Sequence, residues 1–265
     1  MNNIPLGVGV RLLARHPSGL LAFEKPAGVA THPNRSGSRS SSETLVDASY
    51  DLKQELYQLD DGSRLFLLNR IDSPTSGIVL AATDPVLATQ IKELFRRGRV
   101  SKTYFAIVKG ARLPIPDGSW RDRLDKRHND AQIRVHIGRG GIPSVTRYKW
   151  LASVAAPAPL SLLRLTPETG RTHQLRVQCA AHARPIAGDK TYGDFAFNRV
   201  LEKGSRVRRL LLHAAAVTFT FFHNGRSETF TAQSPLPAEF LKLFPDAAAH
   251  FTTPTLNTTT TSSCE

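Results

Sequence analysis

Residues 65–82 read Leu65-Phe66-Leu67-Leu68-Asn69-Arg70-Ile71-Asp72-Ser73-Pro74-Thr75-Ser76-Gly77-Ile78-Val79-Leu80-Ala81-Ala82. Two apolar runs, 65–68 and 78–82, have the length of buried strands, and the polar segment between them holds the Pro and Gly of a sharp turn. If the strand pattern continues past residue 68, alternation puts Arg70 and Asp72 on one face. A carboxylate held there by a rigid element can face a cleft. An aspartate just before Ser-Pro also often caps its own turn, and spacing alone favours that structural role for Asp72.

The pattern outside this unit is mixed. Residues 20–24 read as a strand stopped by Lys25-Pro26-Ala27-Gly28. Downstream, Asp84 suits an N-cap and Pro85 the first helical position. Leu87, Ile91, Leu94 and Phe95 then fall on one helical face, and Gly98 is placed to end the helix. Further strands are expected at 104–108, 146–151, 160–165 and 214–222, and a helix at 172–182. Strands and helices do not alternate, so the expected class is α+β, with a mostly antiparallel bent sheet flanked by helices and loops.

The 265 residues carry 35 Lys+Arg against 22 Asp+Glu, a net charge of +13. That excess points to a polyanionic partner, most often nucleic acid. It is unevenly spread. Between Glu93 and Asp117 there is no acidic residue but Arg96, Arg97, Arg99, Lys102, Lys109 and Arg112. A second cluster holds Arg199, Lys203, Arg206, Arg208 and Arg209 against Glu202; both resemble phosphate-contacting surfaces. A third, residues 121–139, mixes both signs and reads equally as a phosphate-contacting surface or as a solvated loop or edge strand. The Ser-rich stretch 35–42 and the tail from 252 are low in complexity.

Several classes are excluded. No stretch approaches ~18 uninterrupted apolar residues, so no membrane helix is expected. Two cysteines, Cys179 and Cys264, cannot build a disulfide scaffold or a Cys-rich zinc site. Dinucleotide and phosphate-loop fingerprints, a nucleophile elbow and a metal-hydrolase histidine pair are all missing. The start of the chain does not read as a signal peptide, which makes the cytoplasm the expected compartment. Dense polar residues remain at 101–104, 168–176 and 185–193, between apolar strands, where buried polar groups need partners.

Taken together, these segments resemble the RluA-type family of pseudouridine synthases. The family's H-R-L-D-x-x-T-S-G motif stands here as N-R-I-D-S-P-T-S-G at 69–77, with Asn69 and Ile71 as departures. Lys102-Thr103-Tyr104 matches K-x-Y. G-R-T-H-Q-L-R at 170–176 and P-I-x-G-D-x-x-Y-G at 185–193 are unbroken. Lys25–Gly28 and Leu212-His213-Ala214 match the opening and closing elements. The order of the motifs is far more specific than any one of them.

The resemblance implies a single catalytic domain over residues 15–245, after a lead at 1–14 and before a disordered tail at 246–265. No separate RNA-binding module is expected ahead of it. It implies isomerisation of uridine to pseudouridine in structured RNA, rRNA or tRNA, by a monomer without cofactor or metal. Asp72 would be the nucleophile, Arg176 its ionic partner, and Tyr104 the ring stacked on the target base. Arg70 would fill the gap left by a flipped base. RNA contacts are expected from Arg70, Arg96, Arg97, Arg99, Lys102, Arg171 and His173. Lys25, Gln174, Asp189 and Tyr192 would support the cleft. Whether Asp72 attacks the sugar C1′, attacks the base or assists elimination to a glycal is left open. The competing readings are an RNA-binding or RNA-chaperone module on the same fold, toward which only Asn69 leans, and a basic DNA-binding protein.

Overall fold

The strand–turn–strand unit sits at a fork in the sheet. In the computed structural model, which describes residues 4–33, 43–111, 115–129, 132–156 and 158–250, its second strand is β6 (Ser76–Ala82). On one edge β6 pairs along its length with β2 (Leu20–Lys25), which also pairs with β1 (Arg11–Arg15). On its other edge the far end takes β5 (Arg64–Leu67), antiparallel, through Phe66 opposite Ala82. The near end of that edge takes β12 (Leu212–His223), parallel, through His213 opposite Ser76. Residues 68–75 are the chain that leaves β5 and re-enters β6 beside β12.

Gly77 makes the parallel contact possible. Its φ is +116°, and a Cβ there would lie 2.2 Å from the carbonyl oxygen of Ala214. Any side chain would push β12 off β6.

From β12 the sheet continues antiparallel through β7 (Ser101–Lys109), β11 (Leu160–Pro167), β10 (Ile142–Val154), β8 (Asp117–Asn129) and β9 (Gln132–Ile137). Short strands β3 (Ser49–Asp51) and β4 (Leu56–Gln58) extend the opposite end, and β13 (Arg226–Gln233) lies along β12. Among the described strands, β6–β12 is the one parallel pair. The class is α+β, as the irregular element order implies.

Helix α1 (Pro85–Arg96) covers the β2–β6 half. Asp84 accepts from Leu87 N at 2.7 Å, and Leu87, Ala88 and Ile91 pack on Leu20, Ile78 and Leu80. Over the β7–β11 half, α2 (Gln174–Ala181) buries Leu175 and Cys179 against Leu163, Leu165 and Leu212. The opposite face of that half holds α3 (Phe195–Ser205) and α4 (Ala238–Leu243), whose Leu201 and Phe240 pack on Phe105 and Ile107.

Some expectations shift. The helix expected over 172–182 begins only at Gln174, because His173 takes a left-handed backbone at φ 53°. The mixed-charge segment 121–139 lies largely in strands β8 and β9, which pair antiparallel with each other. Strand β1 crosses the boundary placed at residue 15. At the other end, residues given to the tail form a 3-10 helix, Pro245–His250, whose Ala247 is 1% exposed among Leu243 and Phe244. Residues 35–42, Arg112 and the tail from 252 lie outside the described residues.

Candidate active site

The backbone at Asp72 is clamped from two sides. Thr31 Oγ1 donates to Ile71 O at 2.9 Å and accepts from Ile71 N at 3.3 Å. Gly28 N donates to Ser73 O at 2.8 Å, and Ser73 Oγ donates to Gly28 O at 2.8 Å. Lys25, fully buried, donates to the carbonyls of Pro26, Val29 and Ser73 at 3.0, 2.6 and 3.0 Å. Burial, then the charge of Arg209, pull its pKa down to about 7 against the opposing pull of Asp72. Three carbonyls can still absorb an ammonium's three donors.

Asn69 replaces the expected histidine and has a structural task. Where the main chain peels away from β6, Asn69 Oδ1 accepts from Leu80 N at 2.7 Å and Nδ2 donates to Ile78 O at 3.5 Å. The side chain thus prolongs the ladder that β5 leaves unfinished.

The Asp72 side chain does not cap its own turn. The turn closes through the main chain, Thr75 N to Asp72 O at 2.9 Å. The carboxylate reaches across the fork, where Asp72 Oδ2 accepts from Arg176 Nη1 at 3.1 Å. Spacing had favoured the cap because it carries no information about α2, about a hundred residues away in sequence.

Arg176 is buried within α2, 5% exposed. Its Nε and Nη2 make a two-pronged contact with Asp189, both at 2.8 Å. Asp189, itself 1% exposed, also accepts from Thr191 N and Tyr192 N. Burial works against the charge on each partner, but their mutual hydrogen bonds and attraction win. Arg176 is therefore held above its ordinary pKa and Asp189 below its own. Gly188, at φ +76°, sets Asp189 in place; a Cβ there would lie 1.9 Å from Arg209 O.

His173 faces the other oxygen of Asp72, with Nε2 3.9 Å from Oδ1. Its tautomer follows from its partners. Val135 N donates to Tyr192 OH at 2.9 Å, so the phenol proton goes to His173 Nδ1, 2.8 Å away. The ring proton is then on Nε2, toward Asp72. Burial lowers the pKa of His173, and Asp72 opposes that, so the ring is neutral near pH 7. Gln174 ties the start of α2 to β10 through Val145 O and Thr146 Oγ1, and accepts from Thr169 Oγ1 and Arg171 N.

Asp72, Arg176 and Tyr104 line one cleft of about 490 Å³. Tyr104 stands on β7, paired with Ala214 and Leu165. Burial, and then Asp72, raise its pKa, so the phenol keeps its proton. Lys102 also lines the cleft and donates to Thr169 O at 3.1 Å; burial lowers its pKa to about 8. Arg70, Arg96, Arg171 and His173 complete the expected set within the lining.

Arg97 and Arg99 are exposed but lie outside the cleft lining. Arg96 and Arg97 both pair with Glu93, Arg97 at 2.5 Å. None of the second basic cluster is in the cleft lining. Arg208 pairs with Glu202 at 2.7 Å. Arg209 turns inward, donating to Ser76 Oγ at 2.5 Å and Leu210 O at 3.0 Å, so it is a strut rather than a phosphate contact. Charge counting cannot separate such an arginine from a surface one. Phe95, read as part of a helix's apolar face, Glu168, the first residue of a dense polar segment, and Pro167 also line the cleft, though none was expected among the site residues. Among the described residues no group of three His, Cys, Asp or Glu side chains could hold a metal, and no helix is long and apolar enough to cross a membrane.

Residues 19–181 match the RNA pseudouridylate synthase family. The chain is 33% identical over 218 residues to the ribosomal large subunit pseudouridine synthase C of Escherichia coli, covering 82% of this chain and 64% of that protein. It therefore spans less than two thirds of the length of that relative. It is 33% identical over 243 residues to the tRNA pseudouridine synthase C of Haemophilus ducreyi, covering 88% and 94%. Among solved structures, human RNA pseudouridylate synthase domain containing 1 superposes with a TM-score of 0.63 at 25% identity, over 86% of this chain and 83% of that one. Motif order and fold agree with these similarities, and the chain belongs to the RluA-type RNA pseudouridylate synthases.

Proposed function

We propose that this protein converts uridine to pseudouridine in structured RNA, with Asp72 as the nucleophile. The carrying observation is the carboxylate of Asp72 bound at 3.1 Å to the buried guanidinium of Arg176, in a cleft that also holds Tyr104.

The reaction breaks the N1–C1′ bond, turns the base, and joins C5 to C1′. The C5 proton leaves to water and N1 regains one, so no redox partner is needed. A carboxylate adduct splits this into two easier steps. Arg176 holds the carboxylate in place by a charge-assisted hydrogen bond at 3.1 Å. Arg176 is itself kept from collapsing onto Asp72 by Asp189, which takes its other two nitrogens.

C1′ and C5 are hidden in a stacked helix, so the nucleotide must be extruded into the cleft. The protonated ring of Tyr104 offers a stacking face, and Arg70 stands at the rim to occupy the vacated place. Arg70, Arg96, Lys102, Arg171 and Arg176 against Asp72 and Glu168 give the lining an excess of positive charge. rRNA or tRNA is the substrate class, as the names of the relatives suggest, and the protein acts as a monomer in the cytoplasm. Asn69, which leaned toward a non-catalytic module, is occupied with backbone pairing.

The test is incubation with rRNA and tRNA pools carrying tritium at uridine C5. Release of tritium to water is expected; no release from either pool contradicts the proposal.

A further inference from the structure

We infer that His32 is a positioning residue that holds Arg70 at the mouth of the cleft, ready to replace an extruded base. The inference rests on the proposed role of Arg70.

Two neighbouring segments are zipped together here. Thr31 bonds both polar groups of the Ile71 main chain, and one residue along, Arg70 Nη1 meets His32 Nε2 at 3.2 Å. The imidazole is fixed from two further sides. It stacks on Tyr50, with centroids 4.9 Å apart and planes 9° from parallel. Its Nδ1 lies 2.8 Å from Pro33 O, a carbonyl that can only accept. Nδ1 therefore carries the ring proton, and Nε2 presents a lone pair to the guanidinium. Tyr50 is in turn buried and packed on Tyr57, centroids 4.7 Å apart, whose hydroxyl donates to Thr31 O at 2.7 Å.

The arrangement suits pre-organisation. Arg70 is exposed, and its long side chain would otherwise sample many rotamers that must be frozen when a duplex is entered. One nitrogen is used by His32, which leaves the rest of the donor fork and the flat face of the guanidinium for nucleotides. The device works only with a neutral imidazole, because a protonated ring would aim a second N–H at Arg70. The described titratable or charged groups facing the ring are Arg70, Tyr50 and, further off, Glu55, whose carboxylate pairs with Lys92 at 2.7 Å. Burial, and then Arg70, lower the pKa of His32 against Pro33 O and Glu55, in the direction the device needs.

The test compares tritium release from C5-labelled RNA by the full-length wild type, His32→Phe, Arg70→Ala and the double variant. Phenylalanine keeps the stack on Tyr50 and removes both ring nitrogens, the acceptor for Arg70 and the donor to Pro33 O. His32→Phe is expected to melt with the wild type and to release tritium about tenfold more slowly, the scale of one hydrogen bond to a charged group. The double variant is expected to match Arg70→Ala, since each change disables the same device. Nitrogen NMR of the imidazoles reads the pair without turnover: His32 Nε2 is expected to be unprotonated at pH 7 and to change shift in Arg70→Ala. Wild-type speed in His32→Phe, losses that multiply in the double variant, or an Nε2 indifferent to Arg70 overturns the inference. Silence of the wild type toward every RNA pool overturns the activity as well, which a slow or fast variant beside an active parent does not.

Discussion

Arg176 binds Asp189 through Nε and Nη2, both at 2.8 Å, and so presents Nη1 alone to Asp72 at 3.1 Å. One buried cation is thus divided between a carboxylate that fixes it and a carboxylate that it serves. Asp72 stays partly open to solvent while Asp189 is sealed. The asymmetry sets a sealed pair apart from the carboxylate proposed as the nucleophile.

Removing either member of the sealed pair should therefore damage folding as well as activity. Arg176→Met leaves the Asp189 charge buried without its partner, and a loss on the order of 3–5 kcal/mol is expected. Asp189→Asn should lower the melting temperature and the turnover together. The sign of the acid effect follows from Asp189. Its folded pKa is depressed, so its contribution is complete above the unfolded value of about 3.9 and is lost as pH falls through the lower folded value. Thermal melts of both variants at pH 7 and at acid pH check this.

Tyr104 should separate stacking from acid–base chemistry. The ring is expected to contribute about 1–3 kcal/mol to holding the base, so Tyr104→Leu should weaken single-turnover catalysis roughly 10–100-fold. Burial and Asp72 hold the phenol protonated through the neutral range. The rate should accordingly show no basic limb that is removed by Tyr104→Phe between pH 6 and 10.

The parts of this site differed in how far they could be read in the chain. Asp72, Tyr104 and Arg176 were reached through motif order, while local spacing alone pointed Asp72 at its own turn. The α1 helix was legible because its cap and apolar face are local. The α2 helix is buried on nearly every side, so its sequence has no polar face to mark its ends, and His173 looked helical. The basic residues were least legible. Arg209 and Arg208 stand side by side, yet one braces Ser76 and the other pairs at the surface with Glu202. His32 carried no signal, because its meaning depends on Arg70 and Tyr50, which reach it only in the fold.

His213 is expected to make the fork sensitive to acid. Its Nε2 lies 3.2 Å from Ser234 O and its Nδ1 2.8 Å from Ser76 Oγ, in a fully buried site. Burial lowers its pKa from 6.5 to about 4. The unfolded chain thus binds the proton more readily, and stability present above about 6.5 is lost as pH falls toward 4. A loss on the order of 3 kcal/mol across that window is expected. Melting curves of the wild type should fall there, and those of His213→Gln should fall less.

RNA affinity should depend steeply on salt. Each phosphate contact adds roughly 0.7–0.9 to the slope of log K against log salt. Arg171→Ala, at the cleft mouth, is expected to reduce that slope by about one. Asp72→Asn should leave the slope unchanged. Filter binding across a salt series with bulk tRNA separates the two.

The most direct measurement is a map of pseudouridine across rRNA and tRNA from a strain lacking the gene, complemented with the wild type or with Asp72→Asn. One or more sites should vanish on deletion, return with the wild type, and stay as uridine with Asp72→Asn despite normal protein levels. A site restored by Asp72→Asn, or a map that deletion leaves unchanged, would contradict the account.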